Sequence, residues 1–152
     1  MSEARRGVLI GVDHGAKVIG LAACDAAWIV ARPLQTFVRT TREADFAKIN
    51  AVIAAREAVG VVVGLPTMPE GFTGTDQAGT VRRWASRLAA AVPIPVYLWD
   101  ESLSTFEAGE RLAEVGGQAD RLDAHAAAVV LQSFIEAHPA GTPLPLPIKH
   151  RG

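Results

Sequence analysis

Between residues 7 and 37 the chain has room for three strands and for nothing else. Residues 7–13 (GVLIGVD) and 17–25 (KVIGLAACD) are short, apolar or β-branched runs joined through the turn HGAK. Such runs around a Gly-containing turn predict a hairpin, and a third run, WIVARPLQTF, extends it into a meander.

After residue 38 the pattern changes from close-set strands to alternation. Thr40 and Glu43 have capping-box spacing, and Phe46, Ile49 and Ile53 recur on one helical face until Gly60. The buried-strand signal VVVGLP follows, then a polar, Gly-rich loop at 67–74 and a second helix marked by Ala78, Val81, Ala85, Leu88 and Val92. PVYLWD is the next strand. Ser104 and Glu107 start a short helix that Gly116 and Gly117 stop, and residues 121–137 form an Ala-rich helix. The order β-β-β-α-β-α-β-α-α predicts an α/β architecture of three layers, in which an antiparallel three-strand meander is joined to two parallel strands in one mixed sheet. A single domain over 1–138 and a loosely held, Pro-rich C-terminal tail over 139–152 complete the expectation.

Composition narrows the class. A chain of 152 residues, 49% hydrophobic, buries the core of one domain. No apolar run approaches the roughly 18 residues of a membrane span, and MSEARRG leads into a strand instead of a signal peptide's apolar core, so the expectation is a cytoplasmic protein that does not engage membranes. Cys24 is the only cysteine, which excludes an intramolecular disulfide and a finger-type metal site and leaves a buried structural thiol. The net charge of −1 argues against a wholly basic coat, although twelve of the fifteen basic residues are Arg, the type suited to bidentate phosphate contacts.

In open α/β sheets the binding crevice lies beyond the carboxyl ends of the parallel strands. Asp13 ends the first strand, the pair Asp100 and Glu101 ends the fifth, and Asp123 opens the last helix. Strand alternation lets only one of Asp100 and Glu101 face the crevice unless the chain turns there. Taken one at a time, each acid has an ordinary explanation: a strand-end acid, a solvated loop acid, a first-turn acid beside the helix dipole. Converging, they would repel, and a hard divalent cation would relieve that repulsion, so Mg²⁺ or Mn²⁺ is implied. Two such ions support phosphodiester hydrolysis without a Cys nucleophile or a catalytic His. Gly11 and Gly15, flanking Asp13, permit either a tight hairpin or a close approach to phosphate, which Lys17 would then hold as a point charge. The G-x-D-x-G pattern also opens the actin, Hsp70 and sugar-kinase fold, whose ATPases need a second domain that this chain is too short to supply.

Four segments, GVDHGAKVIGLAACD, VVVGLPTMPEGFTGTDQAGTVRRWASRLA, PVYLWDESLSTFEA and DRLDAHAAAVVLQSF, together resemble the YqgF/RuvX family from Val8 to Phe134. The resemblance implies an RNase H-like fold with a five-stranded sheet, and a nuclease that processes pre-16S rRNA or resolves Holliday junctions. It further implies that Asp13, Glu101 and Asp123 are the catalytic, metal-binding triad, which favours Glu101 over Asp100. Lys17 would lie beside the triad, and GLP with its following loop would border the substrate groove. Two segments depart from the family: Ser102 stands where its D-E-R-x-[ST]-T motif has Arg, and TMPEG replaces N-x-D-G. The stretch before Asp123 is also less basic, with Arg121 in place of a Lys-containing loop.

Arg83 and Arg87, four apart on the second helix, are placed to track a phosphate backbone, with a solvated helix face as the ordinary alternative. Trp84 and Trp99 are expected to pack in the core or half-buried, not to stack on bases. His14 is turned away from Asp13 by strand alternation, and His125 lies away from Asp123 on its helix, so neither is a metal ligand. The reading is a metal-dependent nuclease acting on structured nucleic acid, most of all the 5′ end of pre-16S rRNA, as a monomer or homodimer. The alternatives are a Holliday junction resolvase, a nucleic-acid-binding factor without turnover, and an actin-like nucleotide-hydrolysing module.

Overall fold

Short turns allow neighbouring strands to pair only antiparallel, whereas a parallel pair needs a crossover of a dozen residues or more. The computed structural model, which describes residues 6–66, 76–100 and 122–148, obeys that division. Three strands come first, β1 (Leu9–His14), β2 (Val18–Cys24) and β3 (Ala31–Val38). Then follow α1 (Arg42–Arg56), β4 (Gly60–Leu65), α2 (Gln77–Ala91), β5 (Val96–Asp100) and α3 (Leu122–Ala137). The sheet order is β3-β2-β1-β4-β5. β1 pairs antiparallel with β2 and β2 with β3, while β1 with β4 and β4 with β5 are parallel. The mixed five-stranded sheet expected from the sequence is therefore present. The short helix expected from Ser104 lies outside the described residues.

Alternation along β1 divides the sheet into two faces. Ile10 and Val12 face one way, into a core with Ile19, Leu21, Val61 and Val63, closed by Phe46, Ile49 and Ile53 of α1 and by Val81, Trp84 and Leu88 of α2. Leu9 faces the other way with Ala22, Val62 and Tyr97, under Ala127, Ala128, Leu131 and Phe134 of α3.

Local details differ from the sequence reading in three places. Thr41, not Thr40, is the N-cap of α1 and accepts the Ala44 N–H, because the Thr40 N–H is taken by Asp45 Oδ1 at 3.0 Å. β3 begins at Ala31, three residues later than the run suggested, because Asp25 gathers the N–H groups of Ala27, Ile29 and Val30 into a turn in which Trp28 has φ 61°. Over residues 139–148 the tail is non-helical as expected, yet it returns to the sheet edge: the Ile148 N–H donates to the Val96 carbonyl at 2.8 Å and its side chain packs on the core. Cys24 is the buried thiol the sequence suggested, with its pKa pushed up to about 11 by burial.

Candidate active site

Asp13 is the fifth residue of β1 and shares its face with Leu9 and Gly11, the face covered by α3. In the β1–β2 ladder it stands opposite Gly20. Directly paired antiparallel residues point to the same side of the sheet, so whatever lies over Gly20 also lies beside Asp13. That neighbour is the start of α3: a Cβ on Gly20 would stand 2.0 Å from the Asp123 carbonyl oxygen and 2.6 Å from the Ala124 nitrogen. The missing side chain at Gly20 is what lets the helix backbone settle onto β2. Two of the carboxylates of the sequence reading, 110 positions apart in the chain, are thus carried by adjacent backbone on one face.

Gly11 extends the same contact. A Cβ there would meet the Ala127 carbonyl oxygen at 2.8 Å and the Leu131 Cβ at 2.9 Å. Neither a hairpin nor a phosphate accounts for this glycine; the close-lying helix does. Gly15 does belong to the hairpin, where its N–H donates to the Val18 carbonyl at 3.0 Å. Gly20 was missed by sequence reasoning. Its only sequence signal was its place in an otherwise apolar strand run, a pattern that marks a close backbone approach.

Lys17 is exposed on the turn between β1 and β2, at the same end of the strands as Asp13. Arg39 holds that turn: its backbone N–H donates to the Lys17 carbonyl at 2.8 Å, and Nη1 donates to the carbonyls of Gly15 and Ala16 at 3.1 and 3.2 Å. The buried Asp45 carboxylate lies 4.0 Å from Arg39 Nε. This Arg39–Asp45 clamp also went unread in the sequence, where an Asp in a helix's first turn is unremarkable. His14 is turned to the opposite face, its ring 4.6 Å from that of Trp84. Its pKa is lowered first by burial and then by the Arg39 charge.

The remaining expected residues separate clearly. Arg83 and Arg87 are exposed on α2, across the sheet from Asp13 and Asp123. Trp84 and Trp99 pack as expected, Trp84 in the α1/α2 core and Trp99 against Phe134 with its Nε1 donating to Ser133 Oγ at 3.0 Å. Asp25 is occupied by its own turn: burial raises its pKa, but the N–H groups of Val30, Ile29 and Ala27 outweigh it and leave the carboxyl lowered. Glu101 and Arg121 lie outside the described residues. Among the described residues no group of three metal-ligating side chains occurs. The carboxylates of Asp13 and Asp123 are nevertheless the oxygen donors that a hard divalent cation takes.

A family model described as RuvX, Holliday junction resolvase, matches residues 7–137. A relative from Anaeromyxobacter sp., named as a pre-16S rRNA nuclease, is 44% identical over 135 residues, covering 86% of this chain and 98% of the relative. A relative of the same name from Novosphingobium aromaticivorans is 38% identical, covering 88% of each chain. Among solved structures, Thermus thermophilus RuvC in complex with a Holliday junction substrate aligns with a TM-score of 0.61. It is 19% identical and the match covers 92% of this chain and 99% of that one. At that identity the likeness speaks for the fold, which is RNase H-like.

Proposed function

The chain belongs to the RuvX family, and from that premise we propose that it is a metal-dependent nuclease whose substrate is the 5′ end of pre-16S rRNA. The observation that carries the reading is the seating of the Asp123 backbone on Gly20, directly across from Asp13. Such a seat gives two carboxylates a shared location without requiring either side chain to be held by its own loop.

Asp13, Glu101 and Asp123 would hold Mg²⁺ or Mn²⁺. When bound, the cation supplies an activated water and stabilises charge on the leaving oxygen of a phosphodiester. Asp13 presents its carboxylate from a rigid strand, which fixes the position of whatever it binds. Glu101 directly follows β5 in sequence, so its carboxylate would come from the same end of the sheet. Lys17 would hold a substrate phosphate as a point charge, and Arg121, just ahead of α3, would add a bidentate contact. The Arg39 clamp keeps the Lys17 turn from paying that ordering cost on binding.

The test is Mg²⁺- or Mn²⁺-dependent cleavage of a pre-16S rRNA 5′ fragment and of a four-way DNA junction by wild type, Asp13→Asn and Glu101→Gln. Wild type is expected to cut the rRNA fragment, with both variants folded and inactive. Cutting of the junction alone would move the substrate to branched DNA. Equal cutting by the variants would remove these carboxylates from the mechanism.

A further inference from the structure

Arg83 and Arg87 are not neighbours of the carboxylates. Together with Arg42 of α1 they line an open groove of about 520 Å³ between α1 and α2, with Phe46, Ser86 and Ala90 also in its lining among the described residues. Both helices cover the Ile10 and Val12 face of the sheet, whereas Asp13 and Asp123 belong to the α3 face. The sheet therefore lies between the groove and the carboxylates. A nucleotide whose phosphate is attacked beside Asp13 cannot place that same phosphate between Arg83 and Arg87.

The groove has its own chemical character. All three arginines are exposed, and among the described residues none of them is paired with a carboxylate. Among the described residues its lining holds no acidic side chain. Phe46, only 8% exposed, is the buried apolar member of the lining, beside the exposed arginines. Arg83 and Arg87 are one turn apart, about 6 Å along the helix axis, which spans roughly two phosphates of one strand in a duplex. Planar guanidinium groups at that pitch match phosphate oxygens bidentately.

We propose that the α1/α2 groove is a second nucleic-acid contact that grips the sugar–phosphate backbone of a double-helical segment remote from the scissile bond. This rests on the nuclease reading for the identity of the polymer, and it narrows the substrate class. A molecule that reaches both faces of the sheet must be folded or branched, with a duplex arm that passes round the edge of the domain. A short single strand engages the carboxylate site alone.

The experiment compares full-length wild type with Arg42→Gln/Arg83→Gln/Arg87→Gln, using two RNAs: a pre-16S 5′ fragment with a duplex arm and a short single-stranded oligonucleotide of the cleavage region. Binding is measured without divalent metal across a salt series, so no turnover is needed. The expected result is weaker binding of the duplex-armed RNA, with the slope of log K against log salt shallower by about 2 to 3 units, since each lost contact removes about 0.7–0.9. The oligonucleotide should bind both proteins alike. Unchanged affinity and slope for the armed RNA would overturn the proposal and leave the groove to another acidic partner. An equal loss on both RNAs would overturn it too, by making the arginines part of one common site. Failure of the nuclease reading shows separately, as absence of metal-dependent cutting of either RNA by wild type.

Discussion

The two faces of one sheet are built on opposite plans. Towards α1 and α2 the strands present Ile10, Val12, Ile19 and Leu21, bulky side chains that hold two helices off and fill the space between. Towards α3 the central strands present Gly11 and Gly20, and the helix answers with Ala124, Ala127 and Ala128. The first face is packed by side-chain volume, the second by bringing backbone against backbone. A volume-filled core tolerates small changes of shape at moderate cost, whereas a backbone contact has no side chain that can yield. The less forgiving contact is the one that carries Asp123 to Asp13.

That contrast can be broken most severely at Gly20. Gly20→Ala forces a methyl group into the Asp123 carbonyl, so a loss of about 3 kcal/mol or more is expected in urea unfolding, together with loss of metal-dependent cleavage. Wild-type stability in this variant would show that α3 does not rest there. Gly11→Ala should cost less, about 1–3 kcal/mol, because its nearest neighbours stand at 2.8 and 2.9 Å, where those of Gly20 begin at 2.0 Å. On the opposite face Ile10→Val removes a single methyl group from a fully buried position and should cost about 1 kcal/mol while leaving cleavage intact. If Ile10→Val abolished cleavage at the same small stability cost, the division of labour between the faces would be wrong.

The smallest expected effect comes from Cys24, at the edge of the α3 face. Burial raises its thiol from 9.0 to about 11, so the unfolded chain releases this proton first as pH rises. Between those values the native state binds more protons, and stability falls with rising pH. Denaturant midpoints at pH 8 and pH 10 should therefore differ less for Cys24→Ala than for wild type, and the native thiol should resist alkylation at pH 8.

Much of the layout was legible because it depends on spacing alone. Strands separated by a few residues had to form a meander, and strands separated by helices had to be parallel. Alternation also assigned His14 to the side away from Asp13, where its ring indeed meets Trp84. The cap of α1 was misread by one residue, since Thr40 and Thr41 are equivalent in sequence and only the reach of Asp45 distinguishes them. Trp28 and Ile29 read as strand because their side chains favour strands, yet three N–H groups bound to Asp25 hold them in a turn.

By itself the sequence determined the order of elements, the two-faced pattern of each strand and the set of acids to be weighed, because these follow from local periodicity and residue chemistry. Only the tertiary structure decided that Gly20 is the seat of α3 and that Arg83 and Arg87 stand across the sheet from Asp13. Both depend on which side of the sheet a distant helix covers. That choice is made by long-range packing of whole faces, and no spacing within a single segment encodes it.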